Sequence, residues 1–186
     1  LGLDLSLSTP HFPQPLPLPK ALKTHLKACK KPYIGIAPFA AYFSKMYPIQ
    51  QMKEVISNLS NNYSVLLFGG GAYETKIIEA IVRQYPCVKS VAGTYTMQEE
   101  LTLMSHLKVM LAMDSGNAHM AAMMGVNVIT LWGVTHPYAG FAPFNQPLEN
   151  CLLSDRNKYP KIPTSIYGNR YPESYENAMA SIPVEE

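Results

Sequence analysis

No stretch of this sequence approaches the roughly 18 consecutive apolar residues that a membrane-spanning helix needs. The opening LGLDLSLSTPHFPQPLPLPK also lacks the basic flank and apolar core of a secretory signal. Cysteine is scarce: Cys29, Cys87 and Cys151 are far apart, and no CxxC or Cys/His spacing suggests a zinc site. Their odd number and low density point to a reducing compartment, hence the cytoplasm. Charge is scarce too. Charged residues make up 15% of the chain and the formal net charge is +2. Lys27, Lys30 and Lys31 form the one basic cluster, which is no electrostatic footprint for nucleic acid. What the chain does have is apolar bulk, 47% of its 186 residues, enough to bury a core and to exclude disorder by composition. The length suits one compact domain with extra chain, or two small domains.

Residues 1–32 contain Pro10, Pro13, Pro15, Pro17 and Pro19 and no initiating Met. Alternating prolines favour extended, polyproline-like backbone, as in a linker entering a domain. The chain is expected to begin inside a longer protein, although a processed terminus would look the same. From Tyr33 the pattern becomes regular. Short apolar runs at Tyr33–Ala37, Tyr63–Phe68, Val88–Val91, Val109–Ala112 and Val128–Trp132 alternate with helical periodicity at Ile49–Leu59, Ala72–Tyr85, Thr96–Leu107 and Asn117–Met124. Thr96 with Glu99 reads as a capping box, and Gly125 suits a left-handed helix end. Such alternation with near-continuous apolar strands predicts an α/β fold: a Rossmann-like parallel sheet with helices on both faces, over residues 33–150. Residues 151–186 read as a tail with one helix near Ser174–Ile182.

In open parallel sheets ligands bind beyond the carboxyl ends of the strands. Three such ends carry polar groups. After the fourth strand comes Asp114-Ser115-Gly116-Asn117-Ala118-His119. Asp114 or Ser115 can cap the helix, Gly116 admits a ligand to the backbone, and the helix N-terminus favours a phosphate within reach of His119. Taken alone, this stretch reads first as an ordinary helix cap with a hydrogen-bonded histidine. Lys45, after the first strand, has no charged neighbour within six residues and can meet a phosphate as a point charge. Gly69-Gly70-Gly71 ends the second strand but no GK[ST] follows, so it is not a P-loop. Glu74, just beyond, either binds ribose hydroxyls or simply favours the helix start. Thr135-His136-Pro137 lines the same edge or forms a turn. His11, His25 and His106 have no evident partners. No triad order, carboxylate pair or metal spacing stands out. The remaining reading is a phosphate- or nucleotide-binding crevice.

These residues resemble a known family. EELTLMSHLKVMLAMDSGNAHMAAMMGVNVITLWGVTHP looks like the C-terminal signature of family 9 glycosyltransferases, the ADP-heptose:lipopolysaccharide heptosyltransferases. Asp114, Ser115, Gly116, His119, Ala121, Ala122, Gly125, Val126, Gly133 and Thr135 match its pattern, with Asn127 in place of the usual Pro. IGIAPFAAYFSKMYPIQQMKEVI resembles the family's strand, phosphate loop and Lys-x-Trp-Pro, with Tyr47 for Trp. Phe39 stands where Gly is usual, which would narrow or alter the phosphate loop. VLLFGGGAYETKIIEAI matches the strand, glycines and Glu.

The resemblance spans about Tyr33 to Pro137 and implies the C-terminal, donor-binding half of a GT-B fold. It implies a cytoplasmic enzyme of a Gram-negative bacterium, at most peripheral to the inner membrane, and an inverting, metal-independent transfer from ADP-heptose or a similar nucleotide sugar to a lipopolysaccharide core acceptor. Lys45, Ser115, Gly116 and His119 would hold the diphosphate, Glu74 would face the ribose, and Asp114 would position the loop or touch the heptose. No cofactor is implied. The family's base and acceptor surface belong to an N-terminal half, so this chain alone is expected to bind donor and transfer little. Two other readings compete: a sugar-nucleotide 2-epimerase-like GT-B enzyme, which usually has acidic residues after its Asp-Ser-Gly, and a non-catalytic sugar-nucleotide-binding module.

Overall fold

The computed structural model describes residues 8–26 and 31–186. Cys29, Lys27 and Lys30 lie outside the described residues. Six strands, β1 (Tyr33–Ala37), β2 (Ser64–Leu67), β3 (Val88–Ser90), β4 (Val109–Met113), β5 (Asn127–Trp132) and β6 (Cys151–Leu153), form one sheet in the order β3-β2-β1-β4-β5-β6. Every pairing is parallel. Among the described residues five α-helices accompany them: α1 (Lys20–Leu26), α2 (Ile49–Ser60), α3 (Gly71–Val82), α4 (Met97–Met104) and α5 (Gly116–Met123).

The apolar runs explain the layers. Side chains alternate across a strand, so a strand apolar throughout must be covered on both faces. Ile34, Ile36, Val65 and Leu67 pack with Met52 and Ile56 of α2 and with Ile78 and Ile81 of α3. On the other face Ala37, Leu66, Met110 and Ala112 pack with Leu103 and Met104 of α4, with Ala118, Ala121 and Ala122 of α5, and with Leu22 and Leu26 of α1. The small residues of α5 let it lie close to β4 and β5. The capping box on α4 is formed: the Thr96 N–H donates to Glu99 Oε2 at 2.9 Å and the Glu99 N–H to Thr96 Oγ1 at 3.3 Å. That bonding to Thr96 also holds the Glu99 carboxyl below the usual carboxylate range. α5 is followed, after its C-cap Met124, by Gly125 in the left-handed conformation that its glycine implies, with φ 76°.

Three parts differ from the sequence-based expectation. Residues 20–26 are helical rather than linker. Leu22 and Leu26, one turn apart just after Pro19, are both buried, and this spacing was the available signal. The Pro-rich segment before α1 lies against the domain: Phe12 covers Gly125, and a His106 ring nitrogen lies 2.7 Å from the Leu16 carbonyl oxygen. After residue 150 the chain adds β6 to the sheet before entering the tail. The tail helix is replaced by two 3-10 turns, Glu173–Tyr175 and Ala178–Ser181. Tyr175, Ala178, Met179 and Ile182 are buried at helical spacing, which imitates an α-helix. Ser181 instead binds locally, its Oγ donating to the Ala178 carbonyl and accepting from the Asp155 N–H, and such bonds compete with a helical ladder. Cys151 is a free thiol.

Among the described residues no helix is long and apolar enough to cross a membrane. A cavity of about 620 Å³ runs along the α2 side of the sheet, bounded by Leu111, Ile129, Leu131 and Ile182. It reaches Lys108 and Asn127 at the strand starts, so it is not the crevice at the strand ends.

Candidate functional site

The sheet order places a topological switch between β1 and β4. From β1 the chain winds outward through β2 to β3, and from β4 outward through β5 to β6. Connections leave in opposite directions there, and a crevice opens beyond the strand ends. Ala37 lies beside Ala112 and Met113 beside Leu131, so the segments after β1, β4 and β5 emerge together.

Those three segments meet at one carboxylate. Lys45 Nζ lies 2.8 Å from Asp114 Oδ2, and Thr135 Oγ1 donates to the same oxygen at 3.0 Å. The pair is enclosed, with side-chain exposures of 13% for Lys45 and 4% for Asp114. A buried charge must be paired and hydrogen-bonded to be tolerated, and both conditions hold. Lys45 comes from a single 3-10 turn, Phe43–Lys45, anchored on both sides. Ser44 is buried and its hydroxyl donates to the Gly168 carbonyl. Tyr47 is buried and donates to the Ile182 carbonyl at 2.7 Å. Burial, then the charges of Glu54 and Glu185, push the Tyr47 hydroxyl above its ordinary pKa.

The remaining predicted residues surround this network. Ser115 is the N-cap of α5 in extended conformation, but it makes no side-chain cap bond. Its hydroxyl oxygen is buried without a partner among the described residues. Gly116 begins the helix on an open side: an added Cβ would meet nothing within 4 Å. The Ala118 N–H donates to the Ser115 carbonyl at 3.2 Å, and the Gly116 and Asn117 amides before it have no acceptor within the helix. His119, one turn along, is half-buried and makes no hydrogen bond among the described residues. Glu74 stands apart from the Lys45–Asp114 network. It closes its own turn, with Oε2 accepting from the Gly70 N–H at 2.8 Å. Phe39, which stands where the family usually has Gly, has its ring buried in the core on the α2 and α3 side.

His136 is a buried neighbour whose weight the sequence did not reveal. Its Nδ1 accepts from the Tyr138 N–H at 3.3 Å, and burial, then the charge of Arg156, hold its pKa below the ordinary histidine value. The sign is set: the folded protein resists protonation of His136, the unfolded chain does not. Stability contributed by the neutral ring is therefore full above about pH 6.5 and falls as pH drops below it. His136→Gln should flatten the loss of melting temperature on acidification below pH 6.5. An unchanged pH–stability profile in that variant would remove His136 from the account.

Among the described residues no group of three or more His, Cys, Asp or Glu side chains could hold a metal ion. The switch point of this Rossmann-like sheet brings together one lysine, one helix N-terminus and a hydroxyl without a partner among the described residues, groups whose chemistry suits an anion. The chain belongs to glycosyltransferase family 9 (heptosyltransferase), whose sequence model matches residues 1–169. No curated protein sequence matches it significantly. Several solved structures share its fold. E. coli heptosyltransferase WaaC with ADP superposes with a TM-score of 0.62 at 18% identity, over 78% of this chain and 44% of that one. A family 9 glycosyltransferase from Veillonella parvula gives 0.64 at 18% identity, over 84% and 44%. E. coli ADP-heptose lps heptosyltransferase II gives 0.58 at 23% identity, over 79% and 46%. The chain thus spans less than half the length of each. At such identities the likeness fixes the fold, one Rossmann-like half of the GT-B architecture.

Proposed function

We propose that this chain is the donor-binding half of an ADP-heptose-type heptosyltransferase and that the diphosphate of the nucleotide sugar sits at the β1/β4 switch point. The observation that carries this reading is the convergence of Lys45 with the open N-terminus of α5 across Asp114. In an inverting transfer the acceptor oxygen attacks the anomeric carbon as the bond to the diphosphate breaks. Negative charge then grows on the leaving oxygen. Lys45, the α5 amides, the Ser115 hydroxyl and His119 would take that charge up, which is the electrostatic part of the catalysis. A phosphate oxygen would also satisfy the orphaned Ser115 hydroxyl, whose burial otherwise costs free energy. Glu74 keeps one carboxylate oxygen outside its bond to Gly70 and would face the ribose. Asp114 would hold Lys45 rather than touch the nucleotide.

The lipopolysaccharide acceptor and the base that activates it would belong to a partner half, so this chain alone binds donor without appreciable transfer. Support for the adenine nucleotide comes from the family and from the solved relative that carries ADP. Calorimetric titration tests it. ADP should bind more tightly than UDP or GDP, and His119→Ala should weaken ADP roughly tenfold, the loss of one charge-assisted contact. Preference for UDP with no ADP binding would favour the epimerase-like alternative instead.

A further inference from the structure

The tail folds back onto the crevice in a way that nothing in the strand-end motifs anticipates. Thr164 pairs its N–H with the Val134 carbonyl at 2.9 Å, tying the tail to the segment after β5. The loop from Thr164 to Arg170 is closed on itself: Thr164 Oγ1 donates to the Arg170 carbonyl at 2.8 Å and the Arg170 N–H to Ser165 Oγ at 3.3 Å. At its tip Gly168 has φ 77°, a conformation that other residues adopt at a cost. A Cβ there would lie 2.8 Å from Lys45 Cδ, 2.9 Å from Lys45 Cγ and 3.2 Å from Thr135 Cγ2. The glycine backbone therefore lies flat on the aliphatic stem of the lysine. Its carbonyl accepts from Ser44, the residue before that lysine.

We infer that the Thr164–Arg170 loop is a clamp that positions Lys45 for its phosphate, with Gly168 as the positioning residue. A lysine stem carries four rotatable bonds, and its charge is useful only where those bonds are fixed. Here Asp114 fixes the amine, Gly168 the stem and Ser44 the backbone. The inference rests on the proposed diphosphate site, and it adds a segment distant in sequence from the strand-end motifs to the donor-binding apparatus.

A double-mutant cycle on ADP affinity tests it, using this chain and calorimetry. Gly168→Ala should lower ADP affinity about tenfold, the scale expected when a charged contact is misplaced. In a Lys45→Met background the same substitution should add nothing, because the residue it acts through is gone. Ser44→Ala loosens the clamp without a steric change and should behave in the same direction, so the test survives if Gly168→Ala fails to fold. Equal losses from Gly168→Ala with and without Lys45 would show a general packing role and overturn the inference. So would unchanged ADP affinity in both clamp variants. If Lys45→Met itself left ADP binding intact, the diphosphate reading would fail first, and the clamp with it.

Discussion

Lys45→Met should weaken ADP binding by roughly 10- to 100-fold, the net worth of one charge-assisted contact. It should also destabilise the fold by about 3 kcal/mol. The second effect follows from the burial of its partner. Asp114 is 5% exposed, and without Lys45 its carboxylate keeps, among the described residues, only the Thr135 hydroxyl. Asp114→Asn provides the contrast. It retains an oxygen for Thr135 and removes an anion beside the phosphate site, while Lys45 loses an anchor. These changes oppose one another, so ADP affinity should hold within about threefold. Calorimetry well below both melting points separates the roles. If both substitutions abolished ADP binding equally, the pair would be a scaffold and Lys45 no phosphate ligand.

How much of this was legible depends on range. The α/β class, five of the six strands and the α4 capping box follow from local patterns: apolar runs, helical periodicity and a Thr-x-x-Glu. β6 was hidden because three residues carry no periodicity, and the turn before it conceals the strand. The tail misled in a specific way. Buried Tyr175, Ala178, Met179 and Ile182 have helical spacing, yet local serine bonding and packing against Val134 hold the segment in 3-10 turns. At the site, the sequence singled out Lys45, Asp114 and the helix start individually. It could not show that Asp114 faces Lys45 rather than the helix, nor that Glu74 turns back onto Gly70. Those contacts join residues 69 positions apart in one case and four in the other. Sheet order decides the first, and the local turn geometry decides the second.

Sheet order also explains why the segments after β1 and β5 touch although β4 lies between them. Gly133, at the end of β5, passes against the backbone of Ser44 with no room for a side chain. A Cβ at Gly133 would overlap the Ser44 carbonyl oxygen and lie 2.7 Å from Met179 Cγ. The methionine end can move, but the carbonyl belongs to the turn that carries Lys45. This close approach bridges the end of β4 and brings Lys45 and Thr135 onto the same oxygen of Asp114. Gly133→Ala should therefore cost about 3 kcal/mol, the upper range for overpacking where backbone must shift. For a domain of this size that lowers the melting temperature by roughly 6–12 °C. ADP binding should fall with it, because the shift moves Lys45 off the carboxylate. Gly116→Ala is the matched control, since the added methyl meets open space and should leave stability within about 0.5 kcal/mol. Thermal melts of the two variants decide the matter. A Gly133→Ala protein that melts with the parent would mean that the two segments stand further apart, and that they do not meet at Asp114.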